Sequence, residues 1–141
     1  MDECIFCKIV SVEATAVVVY EDEHTLAFMD IGQVNPWHVI VAVKPHVRDI
    51  YTLTDELAAA FFQTAARVAR AVKKAMQPQG VTLLQANEEV GFQTVFHLHL
   101  HVLPRHPDDG VTLTWPAKNP AMEELDRLAQ QVKAAISHPG T

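Results

Sequence analysis

The sequence predicts an α+β domain on a mostly antiparallel, five-stranded sheet with two main helices. Three observations lead there: short β-branched runs separated by polar turns, one long segment whose apolar residues recur every three or four positions, and neighbouring strands joined in hairpin fashion without regular strand–helix–strand alternation. The 141 residues, 49% of them hydrophobic, have the size of one domain and the material for one core. Neither a repeat nor a linker-like stretch interrupts them, so residues 1–141 read as a single domain.

Val17–Glu21 and Thr25–Met29 read as the first two strands, joined by the polar turn Glu21-Asp22-Glu23-His24. After the breaker stretch Gly32-Gln33-Val34-Asn35-Pro36, the apolar run His38–Val43 is a third strand, ending at Lys44-Pro45. From Thr54 the period changes: Leu57, Phe61, Ala65, Val68, Val72 and Met76 share one helical face. Thr54 is the expected N-cap, Asp55 and Glu56 suit the positive end, Lys73 and Lys74 the negative end, and Pro78 with Gly80 stops the helix. Val81–Ala86 and Val95–Leu103 complete the strands. Met122, Leu125, Leu128, Val132 and Ile136 mark a closing helix that starts at Asn119-Pro120.

A net charge of −6 argues against a broad basic surface for nucleic acid, although one phosphate ligand needs only a local site. The N-terminus lacks a basic stretch followed by an apolar one, and no apolar run approaches membrane-spanning length, so the expectation is a cytoplasmic protein with neither nucleic-acid nor membrane partners. The two cysteines, in Cys4-x-x-Cys7, are too few for a disulfide scaffold and suit a reducing compartment if they bind metal.

The chemistry concentrates in Phe96-His97-Leu98-His99-Leu100-His101-Val102-Leu103. On a strand, alternation puts His97, His99 and His101 on one face and leaves Phe96, Leu98, Leu100 and Val102 for the core. Same-face neighbours stand roughly 6.5 to 7 Å apart, where two imidazolium charges repel by about 2.5 kcal/mol at an effective dielectric near 20. Full protonation near neutral pH is therefore disfavoured, and a mixed row offers neutral nucleophiles beside proton donors, which suits a phosphate ligand. Two other readings are open: histidines decorating an exposed strand face, and a catalytic metal on the His-x-His pair. The second lacks a carboxylate ligand between the row and Asp108.

The run His97-Leu98-His99-Leu100-His101-Val102-Leu103 resembles the His-φ-His-φ-His-φ-φ signature of the histidine triad (HIT) nucleotide hydrolases and transferases. Cys4-Ile5-Phe6-Cys7-Lys8-Ile9, Leu26-Ala27-Phe28-Met29-Asp30-Ile31 and Asn35-Pro36-x-His38-Val39-Ile40-Val41 resemble other segments of that family, so the likeness spans residues 4 to 105. The resemblance implies an antiparallel sheet with two helices in a homodimer, and a purine nucleotide of the AMP type cleaved at its α-phosphate. It implies that His99 attacks the phosphorus to form a nucleotidyl-histidine, that His101 contacts the phosphate oxygens and that His97 orients the row.

By the same resemblance Asn87, Gln93 and Thr94 match phosphate or leaving-group contacts, Asp30 matches the carboxylate on the ribose hydroxyls, and Phe6, Phe28 and Ile31 match the base pocket. The three apolar residues read equally well as core. Cys4, Cys7, His46 and His97 match a structural zinc set, closed and tetrahedral; no organic cofactor is implied. Two positions depart from the family: Phe92 stands where a glycine is common before the glutamine, and Trp37 where a small residue often precedes the matched His38. His24, His38, His106 and His138 read as solvated or structural. A nucleotide-binding module with negligible turnover is the alternative to an enzyme.

Overall fold

The computed structural model describes residues 3–138, and the chain divides into two compact units, one ending at Val111 and the other beginning at Thr112. In the first unit the order is α1 (Ile5–Val10), β1 (Val18–Glu21), β2 (Thr25–Met29), β3 (Val39–Val43), α2 (Asp55–Met76), β4 (Gly80–Gln85) and β5 (His99–Arg105). The strands form one five-stranded antiparallel sheet in the order β1-β2-β3-β5-β4.

The β1–β2 turn is tied by Asp22, whose Oδ1 accepts from the Thr25 N–H at 2.8 Å and the His24 N–H at 2.9 Å. Every residue of β3 is buried, because both sheet faces are covered. Val39, Val41 and Val43 pack on Phe61, Ala65, Val68 and Val72 of α2, while Ile40 and Ala42 join Phe6, Leu26 and Phe28 on the α1 side. Emptying a position such as Phe61 to alanine costs about 3 to 5 kcal/mol at a site packed this closely.

Helix α2 starts as its sequence dictates, with Thr54 Oγ1 accepting from the Leu57 N–H at 3.2 Å. It ends at Gln77, which takes the left-handed conformation (φ 54°), so Gly80 is not a stop but the first residue of β4. Strand β5 also departs from expectation: it runs His99–Arg105 rather than Val95–Leu103. Ahead of it the Leu98 N–H donates to the Val47 carbonyl at 2.6 Å, which ties this stretch to the segment after β3. Pro104 is tolerated because the β3 pairing ends at Val39 opposite Val102, and the Pro104 carbonyl accepts from Asn35 Nδ2 at 2.8 Å beyond that end.

The second unit carries α3 (Met122–Ala135), whose N-cap is Ala121, without a side-chain cap bond. Asn119, the expected start, sits ahead of the helix at φ 48°. Among the described residues, no helix is long and apolar enough to cross a membrane.

Candidate nucleotide site and metal centre

Antiparallel register places the histidines. His99 lies opposite Ala42 and His101 opposite Ile40, so both project from the face that α1 covers, and the small Ala42 leaves room for an imidazole. The rings of His99 and His101 meet edge to face at 5.2 Å between centroids. His97, just ahead of the strand, is fully buried and turns its ring toward α1 and the segment after β3.

Two of the three rings are oriented by a backbone group. The Nδ1–H of His99 donates to the His97 carbonyl at 2.6 Å, leaving Nε2 with its lone pair. His97 is the reverse: its Nε2–H donates to the Val43 carbonyl at 2.6 Å and its Nδ1 lone pair faces the two cysteines. Burial is the first cause that pushes His97, His99 and His101 below the ordinary histidine value. Repulsion within the row, the cause expected from spacing, adds to it at two positions: His99 lowers His97 and His101 lowers His99. His101 is lowered instead by His38, from outside the row, while Asp30 works the other way on His99 and His101.

A cavity of about 340 Å³ opens beside the row. It brings together Phe6, Phe28, Asp30, Ile31, Thr94, His99 and His101, all of them expected at the site. Phe6 sets its edge, with ring centroids 5.3 Å from Phe28 and 4.9 Å from His99. Ile31 is fully exposed at the rim. Ile5, Ile9 and Ile40 also line the cavity; their apolar periodicity reads as ordinary core, and only the fold reveals the concavity.

Asn87 and Gln93 are not among the lining residues. Asn87 Oδ1 accepts from the Ile50 N–H at 2.9 Å, and its amide donates to Gln85 Oε1 at 2.8 Å. Gln93, 3% exposed, accepts from the Glu88 N–H at 2.8 Å and donates to the Arg48 carbonyl at 2.7 Å. Phe96, expected in the core, is 38% exposed and lies under the Arg48 guanidinium at 4.4 Å. Trp37 lines a different groove, between α2 and the β1–β3 face.

Cys4, Cys7, His46 and His97 converge, with one ligand atom from each lying within 4.8 Å of all the others. Cys4 Sγ is 3.4 Å and Cys7 Sγ 3.5 Å from His97 Nδ1, and Cys7 Sγ is 3.2 Å from His46 Nδ1. A tetrahedral ion with Zn–S about 2.3 Å and Zn–N about 2.0 Å sets its ligands about 3.5 Å apart, so the set fits zinc in spacing and in donor type. Burial, then the hydrogen bond and charge of Cys4, pushes the Cys7 thiol above its ordinary value, so a metal that takes it must displace a proton.

Of the two roles expected for His38, solvated or structural, the structure selects the second and sets it beside the row. His38, 2% exposed, places Nε2 2.9 Å from His101 Nδ1 and 3.3 Å from Asp30 Oδ2. The signal was alternation along His38-Val39-Ile40-Val41-Ala42, which carries the histidine-row face back to His38 once β3 is paired with β5.

A five-stranded antiparallel sheet that carries alternating histidines on the face under a short N-terminal helix is the fold of the histidine triad proteins. The chain belongs to that HIT family, and its residues 11–108 match the HIT domain. It is similar in structure to a HIT family protein from Bacillus anthracis, with a TM-score of 0.93 and 40% identity over 96% of this chain and 99% of that one. It is 31% identical to an adenosine 5'-monophosphoramidase of Schizosaccharomyces pombe, across 94% of this chain and 98% of the relative. A zinc-bound histidine triad protein from Mycobacterium smegmatis matches with a TM-score of 0.74 and 34% identity, covering 94% of this chain and 98% of the other.

Proposed function

We propose that this chain is a nucleotide hydrolase or transferase that cleaves a phosphoramidate or phosphoanhydride bond at the α-phosphate of a purine nucleotide of the AMP type. The observation that carries this reading is the His99 Nδ1–H bond to the His97 carbonyl, which leaves Nε2 as a neutral lone pair in a cavity of nucleoside size. Nε2 attacks the α-phosphorus, an N–P bond forms, and the bond to the leaving group breaks with its electron pair. The leaving group takes a proton from solvent; water then attacks the same phosphorus, the N–P electron pair returns to Nε2, the water's proton passes to solvent, and the nucleoside monophosphate leaves with His99 neutral again.

In this reading His101 donates to the phosphoryl oxygens, Thr94 adds a neutral donor and Asp30 accepts from the ribose hydroxyls. Phe6, Phe28 and Ile31 hold the base. Asn87 and Gln93, whose amides are engaged by Gln85 and Glu88 and by Ile50 and Arg48, tie the 85–93 segment to the 48–50 segment rather than touch phosphate. Cys4, Cys7, His46 and His97 hold a structural zinc, which staples α1 over the row and leaves His97 to support it. The reading includes a homodimer, supported by the resemblance, and a reducing cytoplasm that keeps both thiols available.

The test is AMP release from an adenosine phosphoramidate and from a diadenosine polyphosphate, comparing the wild type with His99→Ala at matched nucleotide occupancy. Turnover that vanishes in the variant while binding survives supports the reading. Wild type that binds AMP and turns over neither substrate makes the protein a binding module.

A further inference from the structure

The trio Asp30, His38 and His101, of which His38 is buried and the other two half-buried, invites a metal, since their ligand atoms lie within 4.8 Å of one another. One hydrogen bond decides against it. The Val34 N–H donates to His38 Nδ1 at 3.2 Å, so that nitrogen carries the lone pair and the ring proton sits on Nε2. The protonated Nε2 is the atom that faces the other two residues, and it offers a hydrogen rather than a ligand. Its nearest partner is His101 Nδ1 at 2.9 Å, with Asp30 Oδ2 next at 3.3 Å. A proton on His101 Nδ1 would set two N–H groups head to head at that distance, and Asp30 Oδ2, 3.7 Å away, is too far to accept it. His101 therefore keeps its proton on Nε2.

We propose that His38 is a positioning residue that fixes the tautomer of His101, holding it as an Nε2–H donor. Its function for substrate rests on the reading above: His101 then meets phosphoryl oxygens as a donor, while its neighbour His99 is held in the opposite tautomer as a nucleophile. Two adjacent histidines of one strand are thus sorted by different partners, His99 by a carbonyl and His101 by the N–H of His38.

The support behind His38 is unusually complete. Gln33 grips both of its backbone groups, donating to the His38 carbonyl at 2.7 Å and accepting from its N–H at 3.1 Å. Asn35 anchors the same loop by donating to the Pro104 carbonyl at 2.8 Å and to Asp109 at 3.1 Å. Asp109 is itself held by Arg105 at 2.7 Å. Trp37, beside His38, takes φ 74°, a strained conformation for a bulky residue that this web of bonds maintains. A loop built this tightly keeps one ring nitrogen in one place.

The experiment reads the tautomer directly, by two-bond proton–nitrogen correlation NMR on the ¹⁵N-labelled full chain, with the His101 signals assigned by their loss in His101→Gln. The wild type is expected to show the Nε2–H pattern at His101. His38→Leu is expected to lose that pattern and to lower kcat for AMP release by about tenfold or more, with AMP affinity within about twofold. His38→Gln, whose amide can place an N–H near the same point, is expected to keep the pattern and restore kcat to within about threefold. An Nδ1–H pattern in the wild type overturns the proposal, as does a His38→Leu protein with His101 and kcat unchanged. The tautomer is read without turnover, so a wild type that hydrolyses neither substrate removes the proposed function while the spectrum still judges His38.

Discussion

The Nδ1 of His99 sits 2.6 Å from the backbone carbonyl of His97, two residues earlier in the same row. This contact commits the single proton of the neutral ring to Nδ1, so Nε2 keeps a lone pair without help from a neighbouring acid. Burial holds the ring below the ordinary histidine value, so the neutral form prevails at neutral pH. His99→Ala is expected to lower AMP release by about a thousandfold or more, with AMP affinity, measured by calorimetry, within a few-fold of wild type. Residual turnover within tenfold of wild type would remove His99 from the nucleophile's place.

The Cys4, Cys7, His46 and His97 cluster joins α1 to the β5 approach across 93 residues of sequence. A zinc ion held there would tie α1 to His46 and to the approach of β5, so its removal is expected to lower the melting temperature by roughly 6 to 15 °C, equivalent to about 2 to 4 kcal/mol. Cys4→Ala should match chelated wild type, and metal analysis of protein purified without chelator should give about one zinc per chain. A chain free of zinc whose melting is unmoved by Cys4→Ala would end the structural-metal reading.

Asp22 provides a pH signature of stability far from the histidines. Burial alone pushes its carboxyl upward, but hydrogen bonds from the His24 N–H, the Tyr20 hydroxyl and the Thr25 N–H and hydroxyl outweigh burial and hold it at about 2. The folded value lies below the unfolded one, so the unfolded chain binds more protons in acid. The contribution is complete above the unfolded value near 3.8 and disappears as pH falls toward 2. Urea unfolding should therefore show Asp22→Asn destabilised at pH 7, with the gap to wild type narrowing by pH 2.5. A gap that stays constant across that range would assign the loss to shape rather than charge.

The elements that local chemistry decides could be read directly: β2 spans Thr25–Met29 as expected, and Thr54 caps α2. The β5 start could not, because its limit at His99 is set by Leu98 bonding to Val47, a partner distant in sequence. His97, His99 and His101 were visible as a motif, whereas their tautomers depend on carbonyls and a histidine that only the pairing of β3 with β5 brings near. For that reason the sequence alone leaves His38 as solvated or structural, with no link to the row. Phe96 lies outside the core because β5 begins at His99, so strand alternation does not reach it.

Phe92, at the position where the family resemblance leads one to expect a glycine, has a backbone that favours one: φ 75° and ψ 19°, the left-handed region. The turn holds it there, since the Phe92 N–H donates to the Glu89 carbonyl at 3.0 Å and the Gln93 N–H to the Glu88 carbonyl at 3.0 Å. An L residue in that region costs about 1 to 2 kcal/mol, and glycine instead loses about 0.5 to 1 kcal/mol more chain entropy on folding. The ring, 83% exposed, returns little packing to set against the strain. Phe92→Gly is therefore expected to stabilise the protein by about 0.5 to 1 kcal/mol in denaturant unfolding, whereas Phe92→Ala, which keeps the strained backbone and loses the ring, should be near neutral. A glycine variant no more stable than the alanine one would show that the turn stores no strain at Phe92.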